Sequence, residues 1–200
     1  MLADQALYKI LEDYSFKTVL DIGYGEGNQS KLFVDAGKKV TAIDYNPRNS
    51  VKGVTMIHAD FMDSNLLHIK PFDCIWASHV LEHQFDPRAF LKQIGYFVKK
   101  GGIIAITVPP MKHEIVGGHL TWWNAGKLIY TLILSGFDCS HVSIKTYGYN
   151  ISIILKNVPI VNFDYLDLNY NKHDLKKLEK FFPFPINGFR FNGNIKELNW

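Results

Sequence analysis

The sequence predicts an α/β fold: a doubly wound, mostly parallel sheet of seven strands with a terminal antiparallel hairpin. Three observations carry this. Short apolar runs of strand length alternate with helix-length stretches, so successive strands connect through crossovers and lie parallel. A glycine-rich turn joins the first run to the helix after it. Two late runs, joined only by a short turn at Gly148, fold back on each other as a hairpin. A length of 200 residues with 47% hydrophobic content suits one domain with a full core.

Between Leu2 and Tyr14, the residues Leu2, Ala6, Leu7, Ile10 and Leu11 recur at three- and four-residue steps, which is the period of a one-faced helix. The buried-strand runs are Thr18 to Ile22, Lys39 to Ile43, Val54 to Ile57, Phe72 to Ala77 and Ile103 to Val108. Helices are expected at Asn28 to Ala36 and at Pro87 to Lys99, where Asp86 can cap and Pro87 suits the first turn. Thr121 reads as the N-cap of a helix through Leu134, closed by Gly136. Phe137 to Tyr147 and Ile151 to Lys156 form the hairpin. One further helix is expected from Lys172 to Phe182. The boundary at 156 separates a ligand-binding domain, 1–156, from an aromatic-rich appended segment, 157–200, packed on the same domain as a lid or a dimer contact.

A net charge of +3, with lysines spread along the chain, creates no strong basic field, and nucleic acid is not expected as a partner. Cys74 and Cys139 lie far apart without CxxC spacing, which argues against a zinc knuckle or a disulfide framework. No run approaches the roughly 18–20 apolar residues of a membrane span. Asp4, Glu12 and Asp13 stand where a signal peptide would be basic and then apolar, so a cytoplasmic protein is expected.

The chemistry centres on Val19-Leu20-Asp21-Ile22-Gly23-Tyr24-Gly25-Glu26-Gly27-Asn28, a buried strand running into a glycine turn and a helix. Missing Cβ atoms allow positive φ and let a ligand lie against the backbone, while the helix start offers unsatisfied N–H groups. The spacing is G-x-G-x-G, whereas a dinucleotide fingerprint places its third glycine one position later, at Asn28 here. A nicotinamide oxidoreductase is therefore disfavoured. Asp21 before the turn suits an ammonium-bearing ligand better than a pyrophosphate.

Val19 to Gly27 resembles the first motif of class I S-adenosylmethionine-dependent methyltransferases, and the resemblance runs in order to about Lys156. It implies a Rossmann-like fold and S-adenosylmethionine as methyl donor, leaving S-adenosylhomocysteine. Asp21, Gly23, Tyr24, Gly25 and Gly27 would hold the methionine end. Asp44, with Tyr45 beside it, would accept from both ribose hydroxyls. Asp60 and Phe61 would serve the adenine. Asp44 also reads as a turn carboxylate before Asn46-Pro47, and Asp60 as a cap.

Phe72 to His83 is similar to the fourth-strand motif of small-molecule methyltransferases, which places Ser78 beside the cofactor and His79 at the carboxyl end of the strand. An activated sulfonium methyl needs alignment and exclusion of water, and a base only when the acceptor is a hydroxyl. His79, His113 and His119 are the candidate bases, and each is equally readable as a surface or hydrogen-bonded histidine. Glu82 and His83 read as fastening the following helix to the sheet. A metal held by His113 and His119 with Asp73 or Asp138 is the weaker alternative, and none is expected. Of Trp122 and Trp123, one is expected to be core and the other to face an acceptor.

The base-methylating pattern of Asn or Asp with Pro-Pro and an aromatic is missing after the fourth strand, where Ala77-Ser78-His79-Val80 stands. The acceptor expected is a small-molecule or glycan hydroxyl. The loop from His113 to Trp123 resembles glycan-modifying methyltransferases. A quinone or lipid intermediate is the runner-up, and an inactive cofactor-binding partner subunit is the reading from another class. A homodimer or a place in a larger multidomain enzyme would fit this chain.

Overall fold

The computed structural model describes residues 2–200. Helix α1 (Asp4–Asp13) leads into β1 (Thr18–Ile22), α2 (Asn28–Asp35), β2 (Lys39–Asp44), β3 (Val54–His58) and β4 (Phe72–Ser78). Then follow α3 (Pro87–Phe97), β5 (Val98–Val108), α4 (Ala125–Leu134), β6 (Ser143–Tyr147), β7 (Asn150–Lys156), α5 (Asp174–Leu178) and β8 (Glu197–Leu198). The sheet order is β3-β2-β1-β4-β5-β7-β6-β8. Strands β1 to β5 are parallel neighbours, while β7 runs antiparallel to β5 and to β6. The chain leaves β1 in one direction across the sheet and returns at β4 in the other, so a crevice opens beyond the carboxyl ends of these two strands. The glycine loop follows β1 and His79 follows β4.

Strand alternation sets the two faces of the sheet. On β4, Cys74 and Trp76 join Leu7, Ile10 and Phe33 under α1 and α2. Ile75 and Ala77 point the other way, to Phe90, Ile94, Leu128 and Leu132 of α3 and α4. Asp86 caps α3 by accepting from the Arg88 and Ala89 N–H groups, each at 3.0 Å, with Pro87 in the first turn.

Several boundaries differ from expectation. The sheet has eight strands, not seven, because Glu197–Leu198 pairs antiparallel with Lys145 and Ile144. Two residues are too few to show a strand period. Helix α4 starts at Ala125 behind an Asn124 cap, whose Oδ1 accepts from the Lys127 N–H at 2.7 Å, and not behind Thr121. Thr121 instead leans its hydroxyl on the carbonyls of Leu81 and Glu82, and Trp123 bridges Pro110, which keeps the segment extended. The first hairpin strand covers only Ser143–Tyr147, since Phe137 bridges Pro159. Strand β5 begins at Val98, immediately after α3. The late helix shortens to Asp174–Leu178 plus a 3-10 turn.

The aromatic C-terminal segment buries Phe181, Phe182 and Ile186 in the same core as β4 and α4. Gly193 and Gly126 meet backbone to backbone, with the Gly126 N–H donating to the Gly193 carbonyl at 3.0 Å. A Cβ on Gly126 would stand 2.5 Å from Gly193 Cα, so this crossing requires glycine.

Candidate active site

Gly23, Gly25 and Gly27 all take positive φ, at 80°, 55° and 79°. Each has a separate reason. A Cβ on Gly23 would run into Val80 Cγ2 at 2.3 Å, and one on Gly27 would meet the Tyr24 hydroxyl at 2.2 Å. A Cβ on Gly25 would have nothing within 4 Å, so the loop presents bare backbone to open space there. The Gly25 N–H donates to Asp44 Oδ2 at 2.7 Å, and the Asn46 N–H donates to Oδ1 at 2.6 Å. Asp44 therefore ties the tip of the loop to the end of β2.

Two clefts flank this tie. One, of about 140 Å³, is lined by Gly23, Asp44, Tyr45, Asp60, Phe61 and Val80, among others. The other, of about 350 Å³, is lined by Leu2, Tyr24, Glu26, Gly27, Asn28 and Gln29. Tyr45 is exposed. Asp60 is exposed and accepts from the Met62 N–H at 2.8 Å, the turn-capping geometry. Phe61 is buried, its ring 5.2 Å from Phe90 and 5.3 Å from Phe97, so it supports the cleft from the core side.

Asp21 is buried on the α2 side of β1, where Ser30 Oγ donates to its Oδ2 at 2.6 Å. Burial pushes its carboxyl up to about 7, against the Ser30 hydrogen bond, and the Asp44 charge pushes it the same way as burial. Gln29 on α2 accepts from Trp76 Nε1 at 2.9 Å and donates to Ser78 Oγ at 3.3 Å and to the Leu2 carbonyl at 2.8 Å. It thus binds α2, β4 and the chain start together. Nothing in the sequence pattern had singled it out.

His79 follows β4 with φ 58°, a left-handed conformation costing on the order of 1–2 kcal/mol for a residue with a Cβ. Both of its ring nitrogens are engaged. Nε2 is 3.0 Å from Asn150 Oδ1, which also accepts from the Ala3 N–H at 3.1 Å, and Nδ1 is 3.2 Å from Glu82 Oε1. Burial alone would lower the His79 pKa, but its contacts with Glu82 and Asn150 outweigh that and raise it. Through these contacts the ring fastens α1, β7 and the turn after β4. It has no free nitrogen with which to take a proton from an acceptor.

Glu82 is fully buried. Its contact with His79 is an ion pair without hydrogen-bond alignment, so neither carboxylate oxygen has a directed donor. His83 turns Nε2 towards it, 4.0 Å from Oε1, and His119 sets its ring edge-on to His83 with centroids 5.1 Å apart. His113 is exposed and is not among the three ligand-capable side chains that converge here. Trp123 is 1% exposed, with Lys127 over its ring, and Trp122 is 49% exposed. The sequence had read Glu82 and His83 only as fasteners. Their convergence with His119 depends on a loop closure that no local pattern announces, and Asn150 at the hairpin turn is equally silent.

The model of the family described as "Methyltransferase domain" matches residues 3–135, more than half of the chain. The chain belongs to the class I S-adenosylmethionine-dependent methyltransferases. The chain is 33% identical over 99 residues to a ubiquinone biosynthesis O-methyltransferase of Caulobacter vibrioides, covering 44% of this chain and 39% of that protein. It is 31% identical over 140 residues to a tRNA U34 carboxymethyltransferase of Dichelobacter nodosus, covering 58% of this chain and 45% of that one. The chain thus spans less than half the length of these two relatives. Among solved structures, it is similar to the 1,6-didemethyltoxoflavin-N1-methyltransferase of Burkholderia thailandensis, a structure with bound S-adenosylhomocysteine. The TM-score is 0.63 at 17% identity, over 77% of each chain. That likeness carries the fold. Among the described residues, no helix is long and apolar enough to cross a membrane.

Proposed function

We propose that this methyltransferase binds S-adenosylmethionine across the carboxyl ends of β1, β2 and β4 and methylates a hydroxyl of a small-molecule acceptor. The observation that carries the donor reading is the open space at Gly25, held against Asp44 and flanked by the two clefts. The residues present fit the donor. Asp44 keeps acceptor capacity on both oxygens for ribose hydroxyls. Asp60 and Phe61, with Tyr45 over the rim, serve the adenine end. Tyr24, Gly25 and Gly27 line the methionine end with Ser78 close by, and Asp21 acts through Ser30 and the first turn of α2. When bound, the donor supplies a methyl on a sulfonium, and the chain's task is to align an acceptor and remove its proton. Residues 1–156 form the donor-binding domain, and 157–200 form a segment appended to it.

With both nitrogens of His79 engaged, we place proton removal at His119, which stands beside Glu82 and His83, and give His79 a positioning role. His113 lies in the same loop as a contact to the acceptor. A second specific observation bears on the acceptor. Met111, Ile115, Val116, Leu120 and Trp122 leave much of their surface exposed along the loop that bears His119. A rim this apolar favours an acceptor with an apolar ring or tail, such as a phenol or quinol, over a free sugar. A glycan hydroxyl is the second reading, supported by the loop resemblance, with Trp122 as a stacking surface. Incubating the chain with methyl-labelled donor and either a quinol or an oligosaccharide acceptor separates them. Label in the quinol supports the first reading, label in the sugar supports the second, and donor binding without transfer to any acceptor leaves the inactive-partner reading.

A further inference from the structure

We propose that Glu82, His83 and His119 form a divalent-cation site at the acceptor end of the donor cleft. One atom of each, a carboxylate oxygen and two imidazole nitrogens, lies within 4.8 Å of the others. Bonds of about 2.0–2.2 Å to a shared cation place ligand atoms roughly 3–4 Å apart, so the three must close by about an ångström. The two histidine rings, less buried than Glu82, can make that movement by rotation.

Proximity alone would not identify a site, and two further features do. Glu82 is 0% exposed, and apart from the misaligned contact of Oε1 with His79 Nδ1 at 3.2 Å, neither oxygen has a donor. A buried carboxylate left that way is costly, and a cation in the gap towards His83 and His119 would satisfy it. His83 is also already set as a ligand. Its Nδ1 lies 2.7 Å from the Gly118 carbonyl oxygen, which can only accept, so Nδ1 donates there and Nε2, which faces Glu82, is the nitrogen placed to meet a cation. The loop bearing His119 is pinned to the same turn, because the Leu120 and Thr121 N–H groups donate to the Glu82 carbonyl at 2.8 and 3.2 Å.

Two imidazoles and one carboxylate suit a borderline cation such as Zn²⁺, Mn²⁺ or Co²⁺ and leave positions open for an acceptor oxygen. The site deepens the hydroxyl-methylation reading and rests on it for its role. A coordinated hydroxyl loses its proton to solvent more readily. Its oxygen then forms the bond to the methyl carbon while the carbon–sulfur pair stays on sulfur, giving methylated acceptor and S-adenosylhomocysteine. With the cation present, His119 is a ligand and the cation replaces it as the means of proton removal.

The test is calorimetric titration of the chelator-treated full chain with ZnCl₂, MnCl₂ and CoCl₂, without donor or acceptor, alongside a separate S-adenosylhomocysteine titration. We expect one cation per chain at micromolar or tighter affinity, and visible absorption from bound Co²⁺. His83→Ala and His119→Ala should each weaken binding at least tenfold with unchanged circular dichroism, whereas His141→Ala should not. No stoichiometric binding, or binding indifferent to both substitutions, overturns the site. Because the nucleoside titration reads the donor cleft separately, failure of the cation site and failure of the methyltransferase reading are distinguishable.

Discussion

His79 Nδ1 and Glu82 Oε1 stand 3.2 Å apart, the imidazole mostly buried and the carboxylate wholly so. Against the lowering effect of burial, contact with Glu82 helps raise the His79 pKa at the carboxyl end of β4. His79→Ala should therefore leave an uncompensated buried carboxylate and cost about 3–5 kcal/mol, with Glu82→Gln in the same chain recovering part of the loss. Denaturant unfolding of the single and double variants checks this. A loss near zero for the single variant would mean that the pair contributes no net stability.

Gly23 and Gly25 should respond differently to alanine. At Gly23 the new Cβ meets Val80 Cγ2 at 2.3 Å, so Gly23→Ala should lower stability by about 1–3 kcal/mol from overpacking, besides backbone strain. At Gly25 the space is open, and Gly25→Ala should carry only the strain of positive φ, on the order of 1–2 kcal/mol, while weakening donor binding more than stability. Thermal unfolding set beside ligand titration separates the two.

Asp21 sets a pH dependence. Its carboxyl is raised from 3.8 to about 7 in the fold, so the folded state holds a proton that the unfolded chain has released. The stabilisation is fully present below 3.8 and is lost as pH rises through about 7. Between those values the wild type should lose up to about 1.4 kcal/mol per pH unit relative to Asp21→Asn. Urea unfolding of both chains at several pH values reads this directly, and parallel curves would refute it.

Trp122 and Trp123 should part company. Trp123→Ala removes a core ring that is 1% exposed and should cost about 3–5 kcal/mol. Trp122→Ala should change stability by no more than about 0.5 kcal/mol and raise the KM of the acceptor. An equal effect of both on stability would remove Trp122 from the acceptor surface.

The parallel core of the fold was legible because its signals are local. Strands β1 to β4 are short apolar runs whose period and punctuation stand in the sequence, and Asp86-Pro87 marks the start of α3. Strand β8 escaped notice because two residues acquire strand geometry only from their partner β6. The start of α4 was misplaced because Thr121 and Asn124 are both competent caps, and the choice was made by the Pro110–Trp123 bridge. The residues of the candidate site follow the same division. Gly23 to Gly27 and Asp44 sit in one contiguous motif and at one strand end, whereas Glu82, His119, Gln29 and Asn150 gain their meaning only from contacts distant in sequence.

The central claim is that this chain carries S-adenosylmethionine on the Gly25–Asp44 corner. Calorimetric titration of the purified chain with S-adenosylhomocysteine and with NAD, repeated on Asp44→Ala, tests it most directly. The account predicts micromolar binding of the adenosyl ligand, no comparable binding of NAD, and at least a tenfold loss in the variant with the fold retained. Tight NAD binding, or adenosyl binding untouched by the substitution, would contradict it.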